Sequence, residues 1–179
     1  MKLIILDRDG VINEDSEDFI KSPDEWIAIP GSLDAIARLN RHDYRVIVIT
    51  NQSGIGRGLL DIQTLNAIHD KMHQQLAIHG GHIESILFCP HTPEEHCVCR
   101  KPKPGLFLDL QERLNIQLHD VPVVGDSLRD LQAAQEVDAT PVLVRTGNGE
   151  ATLATAVGLD NIAVYDSLAD YTDYLLLAK

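Results

Sequence analysis

At 179 residues, with 44% apolar, 23% charged and 4% aromatic side chains, the chain has the balance of one soluble domain with a sizeable core. A net charge of −12, from 15 basic and 27 acidic residues, argues against nucleic acid or an anionic membrane surface as partner. No apolar run is long enough to span a bilayer, no signal-peptide pattern precedes the first strand, and three cysteines do not make a disulfide framework, so the expected location is the cytoplasm.

The first predicted element is the apolar run Leu3–Leu6, a short buried strand that opens into Asp7-Arg8-Asp9-Gly10. Two carboxylates so close repel each other, and holding both needs a compensating cation. At the mouth of a parallel sheet the pair suits a nucleophilic Asp and a proton-transferring Asp around magnesium. The plainer alternative is a strand end followed by an ordinary polar turn. A helix at Ser32–Arg41 and a strand at Val46–Thr50 follow. The strand runs into Thr50-Asn51-Gln52-Ser53-Gly54, whose hydroxyl and backbone N–H groups can hold phosphate oxygens. The same residue types also cap helices.

After a helix at Ile62–His79 and a strand at Ile83–Phe88, one loop gathers all three cysteines with two histidines, from Cys89 to Cys99. Three thiolates and one imidazole make a closed tetrahedral zinc site, with Cys89, His91, Cys97 and Cys99 as the natural set. His96 is then a bystander or an alternative ligand. A full shell braces the loop and performs no chemistry. The loop leads into Arg100-Lys101-Pro102-Lys103, the densest cationic stretch of an acidic chain, just ahead of a helix at Leu106–Leu114. A lysine there can neutralise both the aspartates and an incoming phosphate, whereas a solvated basic turn is the plainer reading.

A strand at Val121–Gly125 then delivers Asp126 to the start of a helix at Leu128–Glu136. Asp126 either caps that helix or ligates the metal that Asp7 and Asp9 require, and Asp130, one turn on, orients the site from behind. A strand at Pro141–Arg145, a loop at Thr146–Glu150 with no evident chemistry, a short helix in the Ala-rich stretch after it, a weaker strand at Ile162–Tyr165 and a helix at Leu168–Ala178 complete the chain.

This alternation predicts an α/β fold: a three-layer, doubly wound, mostly parallel sheet in a single domain, 1–179, with no large inserted cap. Ligands bind such sheets beyond the carboxyl ends of the strands, where Asp7, Asp9, Thr50 and Asp126 all fall.

In their order and spacing, Asp-Arg-Asp-Gly, Thr-Asn-Gln-Ser-Gly, Cys-Arg-Lys-Pro and Gly-Asp-Ser resemble the haloacid dehalogenase (HAD) superfamily of aspartate-nucleophile phosphatases, from Asp7 to the segment 143–147. The resemblance is greatest to its heptose bisphosphate branch, zinc loop included, with the histidinol-phosphate phosphatases as sister group. It implies a magnesium- and zinc-containing phosphatase acting, as a monomer, on a small sugar phosphate. Asp7 is then the nucleophile and Asp9 the general acid/base, with Thr50 and Lys101 on the transferring phosphoryl group. Magnesium falls to the Asp7 side chain, the Asp9 carbonyl and Asp126. Asn51, Gln52, Ser53, Arg100 and the stretch Asp15, Ser16, Glu17 and Asp18 face the sugar. Val11 replaces a common Thr, and the His91–Cys97 spacer is short for the branch, which bears on the shape of the substrate rim. Two non-enzymatic readings compete: a receiver-like phospho-accepting switch, which has no use for a second Asp at +2, and a zinc-dependent interaction module.

Overall fold

The computed structural model describes residues 2–159 and 161–177. Six parallel strands form one sheet in the order β3-β2-β1-β4-β5-β6: β1 (Lys2–Leu6), β2 (Tyr44–Asn51), β3 (Ser85–Cys89), β4 (Pro122–Gly125), β5 (Thr140–Val144) and β6 (Ala163–Tyr165). The helices are α1 (Ser32–Arg41), α2 (Ile62–Ile78), α3 (Gly105–Leu114), α4 (Leu128–Gln135), α5 (Gly149–Thr155) and α6 (Leu168–Leu177). Every predicted strand and helix is present within a residue or two; Ala178, the predicted end of the last helix, lies outside the described residues.

The strands are apolar on both faces because both faces are covered. Alternate residues of β1, Ile4 and Leu6, pack with Val46, Val48, Val124 and Val142 against α1, α2 and α6. Their neighbours Leu3 and Ile5 pack with Ile47, Ile49 and Val123 against α3 and α4. Burying Ile4, Ile5 and Leu6 completely is worth about 1.5–3 kcal/mol for each side chain. That burial anchors the strand that carries Asp7 at its end.

From β1 the chain steps outward through β2 to β3, then returns to lay β4 on the other side of β1. The strand order therefore reverses at β1, and the crevice beyond its carboxyl end is the place such sheets bind ligands. The two longest connections at this edge, 7–31 and 90–104, are loops that hold a single 3-10 turn each, at Pro23–Glu25 and Pro93–Glu95. Among the described residues neither builds a separate cap domain.

Candidate active site and metal centre

Asp7 leaves the end of β1 with one carboxylate oxygen fixed by the Arg8 backbone N–H at 2.7 Å. Lys101 reaches the same oxygen from across the crevice, its Nζ 3.1 Å from Asp7 Oδ1 and 2.6 Å from Asp130 Oδ1. The ammonium also donates to the Ile49 carbonyl at 2.8 Å, which leaves its three protons all engaged. Burial alone would disfavour a charged lysine, but Asp130 and Asp7 outweigh it and raise the Lys101 pKa. Asp130 is itself fixed by the capping box that starts α4, accepting from the Ser127 N–H at 3.0 Å and the Ser127 hydroxyl at 2.5 Å. The residue expected to orient the site from behind does so by holding Lys101.

Asp126 follows β4 directly, and its Oδ2 accepts from the Asn148 backbone N–H at 2.7 Å and from Asn148 Nδ2 at 3.2 Å. Asn148 Nδ2 also reaches Asp15 Oδ2 at 2.6 Å, and the Thr146 hydroxyl donates to the Gly10 carbonyl at 2.6 Å. The 146–148 loop, to which the sequence reading assigned no chemistry, is thus a wall of the acidic site. Its signal is invisible in sequence because Asn148 meets Asp126 only through the fold. Gly10 and Gly147 are required here: both have positive φ, and a Cβ at Gly10 would sit 2.0 Å from Asp126 Oδ2.

Oxygens of Asp7, Asp126 and Asp130 lie within 4.8 Å of one another. Burial pushes Asp7 up to about 7; Lys101 opposes the rise, and Asp130 and Asp9 add to it. Burial, then repulsion from Asp130 and Asp7, pushes Asp126 up to about 8. With Asp130 committed to Lys101 and Ser127, Asp7 and Asp126 are two buried carboxylates short of positive charge. An all-oxygen donor set of this kind fits a hard divalent cation.

Asp9 is held differently. Its Oδ1 accepts from Arg8 Nη2 at 2.8 Å, Arg8 Nε at 3.1 Å and Asn13 Nδ2 at 2.9 Å. Its Oδ2 accepts from Gln52 Nε2 at 2.8 Å and Arg8 Nη2 at 3.1 Å. Burial works against the charge, yet Arg8, Asn13 and Gln52 outweigh it and hold the carboxyl below its ordinary range. Arg8 is fully buried, and its remaining Nη1 faces His69 Nε2, on α2, at 3.2 Å. Arginine has only donors, so this nitrogen of His69 is the acceptor. That assignment agrees with a His69 pKa pushed down to about 3 by burial and by the Arg8 charge.

Beyond these groups opens a cavity of about 240 Å³. Asp7, Asp9, Asp15, Ser16, Thr50, Asn51, Gln52, Ser53 and Arg100 line it, as the sequence predicts. Glu17 and Asp18 are exposed and lie outside the lining; the left-handed turn at Phe19 carries the chain past them and brings Phe19 and Ile20 in instead. The Asn51 and Gln52 amides also serve the site's own frame. Asn51 pairs with the Lys101 backbone in both directions at 3.1 Å, and Gln52 bridges Asp9, Arg8 and Thr50. Lys103 turns away, donating to the His96 and Cys97 carbonyls.

Two further cations join the cavity wall. Arg57 and Arg129 line the cavity with Arg100, and burial together with the charges of Arg129 and Arg57 lowers the Arg100 pKa. Arg57 lies 5.7 Å from the Phe19 ring, a cation–π contact that fixes it at the rim. In sequence, Arg57 stands three residues past the Thr50–Gly54 loop and Arg129 three past Asp126. A cation placed so close to a strand-end motif in so acidic a chain is the signal that marks both.

The cysteine loop closes as expected. Cys89, His91, Cys97 and Cys99 converge, with sulfur–sulfur separations of 3.3 to 3.6 Å and His91 Nδ1 at 3.3 Å from Cys99 and 3.6 Å from Cys89. A disulfide needs about 2.0 Å, whereas the ligands of a tetrahedral zinc with bonds of about 2.3 Å lie roughly 3.8 Å apart. The spacing fits the metal, and His96 stands outside the set. Burial pushes the Cys89 thiol up to about 12; desolvation also raises Cys97, but hydrogen bonds from Cys99 and the Arg100 N–H bring it down to about 7. The loop is tied to the cavity wall: the Gln52 N–H donates to the Cys89 carbonyl at 2.7 Å, the Gly56 N–H to the Pro90 carbonyl at 2.9 Å, and Arg100 Nη1 to the His91 carbonyl at 3.3 Å.

Comparison with known proteins places this geometry. A family model described as HAD-hydrolase-like matches residues 98–171. A D-glycero-β-D-manno-heptose-1,7-bisphosphate 7-phosphatase of Bordetella bronchiseptica is 57% identical over 176 residues, 98% of each chain. A protein of the same name from Neisseria meningitidis is 51% identical over 178 residues, 98% of this chain and 95% of its own. Among solved structures, the D,D-heptose 1,7-bisphosphate phosphatase of B. bronchiseptica, complexed with magnesium and phosphate, superposes with a TM-score of 0.98 at 56% identity and full coverage of both chains. Its counterpart from Burkholderia thailandensis has a TM-score of 0.78 at 48% identity, covering 98% of this chain and 99% of its own.

Proposed function

Because the chain belongs to the HAD-like heptose-1,7-bisphosphate 7-phosphatase family, we propose that it removes the 7-phosphate from D-glycero-D-manno-heptose 1,7-bisphosphate through an aspartyl phosphate on Asp7. The observation that carries this reading is the buried junction of Asp7, Lys101, Asp130 and Asp126 at the sheet's switch point. The β anomer is the preferred substrate, in keeping with the names of the relatives. The enzyme works in the cytoplasm as one domain and one copy.

Asp7 attacks phosphorus in line as Asp9 delivers a proton to the departing sugar oxygen. Asp9, again a carboxylate, then takes a proton from the water that hydrolyses the aspartyl phosphate. The approach of a dianionic phosphate raises the Asp9 pKa against the Arg8 charge, which supplies the protonated form for the first step. Thr50 holds the phosphoryl oxygens, and Lys101, buried beneath them, offsets charge that would otherwise separate nucleophile and substrate. Magnesium, held by Asp7, Asp126 and the Asp9 carbonyl, supplies further neutralisation of the transferring group. Arg57, Arg100 and Arg129 suit the second phosphate at the far side of the cavity. Zinc on Cys89, His91, Cys97 and Cys99 stiffens the loop that presents Arg100.

Measuring kcat/KM for both heptose anomers and for histidinol phosphate, with and without magnesium, tests the assignment. A β-heptose preference with loss of turnover in chelator supports it; preference for histidinol phosphate overturns it.

A further inference from the structure

One buried titratable side chain has no part in the chemistry described so far: His69, on the middle of α2. It faces the sheet with its Nε2 toward Arg8 at 3.2 Å. Arg8 in turn supplies three of the five hydrogen bonds that fix the Asp9 carboxylate and a fourth to Gln52 Oε1 at 3.2 Å. A guanidinium has five N–H donors in a rigid plane, so the group that caps Nη1 sets the rotation of the whole fork. We propose that His69 is a positioning residue for proton transfer, acting through Arg8 to hold Asp9 in line with the leaving oxygen. The proposal rests on the phosphatase reading and assigns its general acid a support that lies outside the cavity.

The geometry explains why the cap is a neutral histidine. A carboxylate at this position would pair with Arg8 and draw it away from Asp9, and a cation would repel it. An apolar residue would leave a buried guanidinium N–H without an acceptor. A neutral imidazole accepts one hydrogen bond and leaves the charge of Arg8 directed at Asp9. Gln52 completes the frame by donating both to Asp9 and to the Thr50 hydroxyl, so the proton donor and one phosphoryl ligand are held as a unit.

The consequence concerns the leaving group. An alkoxide leaving from a sugar phosphate must be protonated as the P–O bond breaks, whereas the phenolate of an aryl phosphate departs without a proton. Misplacing Asp9 should therefore slow the first and spare the second. The test compares His69→Leu and His69→Gln with the unsubstituted enzyme, using heptose bisphosphate and p-nitrophenyl phosphate. It reads kcat/KM, which reports the steps up to departure of the alcohol.

His69→Leu should lose at least ~10-fold on the sugar ester and less than ~3-fold on the aryl ester, and His69→Gln, whose amide oxygen can accept from Arg8, should recover most of the loss. If His69→Leu does not fold, Arg8→Lys tests the same linkage, since an ammonium cannot span Asp9, Gln52 and His69 at once; the same substrate-selective loss is expected. Equal losses on both esters, or no loss on either, overturn the inference while leaving the phosphatase reading intact. Failure of the unsubstituted protein on heptose bisphosphate would instead remove the reading on which the inference rests.

Discussion

Asp7 and Asp9 are two residues apart yet occupy opposite electrostatic environments, and their division of labour follows from that. For Asp7, burial and then Asp130 outweigh the opposing Lys101, whereas Asp9 faces a guanidinium and two amides. Asp7→Asn, nearly isosteric, should cut turnover by roughly 10⁴-fold or more with an unchanged circular dichroism spectrum and midpoint; substantial residual activity would place the nucleophile elsewhere. Asp130 gives a stability prediction. Replacing it with Ala breaks a buried pair and leaves Lys101 with Asp7 alone, at a cost of about 3–5 kcal/mol, or ~6–20 °C in Tm for a chain of this length. His69 gives one for pH. Its folded pKa lies near 3 against an ordinary 6.5, because burial and then Arg8 and His73 oppose the proton, with Asp9 favouring it. The unfolded chain therefore takes up a proton that the folded chain refuses, and stability is lost as pH falls below about 6.5 toward about 3. Denaturant titrations across that window should show a shallower acid-side decline in His69→Gln than in the parent. Asp7, Asp9, Thr50, Lys101 and Asp126 were legible because each ends an apolar strand or stands in a cationic turn. His69 and Asn148 were not: a lone polar residue on a helix or loop has no signature until the fold brings its partner 61 or 22 positions away.

At the scale of elements, the strand runs and helix periodicities predicted the sheet because parallel strands covered on both sides leave an unambiguous apolar pattern. The 3-10 turns at Pro23–Glu25 and Pro93–Glu95 were missed, since a three-residue turn has no period to detect. The stretch Asp15–Asp18 was predicted whole as a rim, but a loop does not reveal which of its residues point inward; Asp15 and Ser16 do, and Glu17 and Asp18 do not. The cysteine loop is the opposite case, because ligand chemistry dictates its closure. Cys97→Ser should lower zinc content by metal analysis and shift Tm down by ~4–8 °C, as expected for a loss of about 2 kcal/mol. It should also raise KM for the bisphosphate more than it lowers kcat, through the Arg100–His91 contact. Full zinc loss with neither change would separate the loop from the substrate rim.

The whole molecule is acidic, at net charge −12, yet is assigned an anionic substrate. The fold resolves the conflict by gathering Arg57, Arg100 and Arg129 around one cavity and burying Lys101 beneath it, while the described ion pairs at the periphery, such as Arg38–Asp173 and Arg45–Glu84, keep other cations neutralised. Composition alone says nothing of this concentration, which depends on the β2–α2 connection, the β3–α3 connection and the first turn of α4 being brought together. On the proposed function hydrolysis is regiospecific: the phosphate next to Asp7 leaves, and the one among the arginines stays. Phosphorus NMR of heptose 1,7-bisphosphate turnover with magnesium tests it most directly. The 7-phosphate resonance should decay and inorganic phosphate grow, with the 1-phosphate resonance retained. Prior loss of the 1-phosphate, or release of both at equal rates, would contradict it.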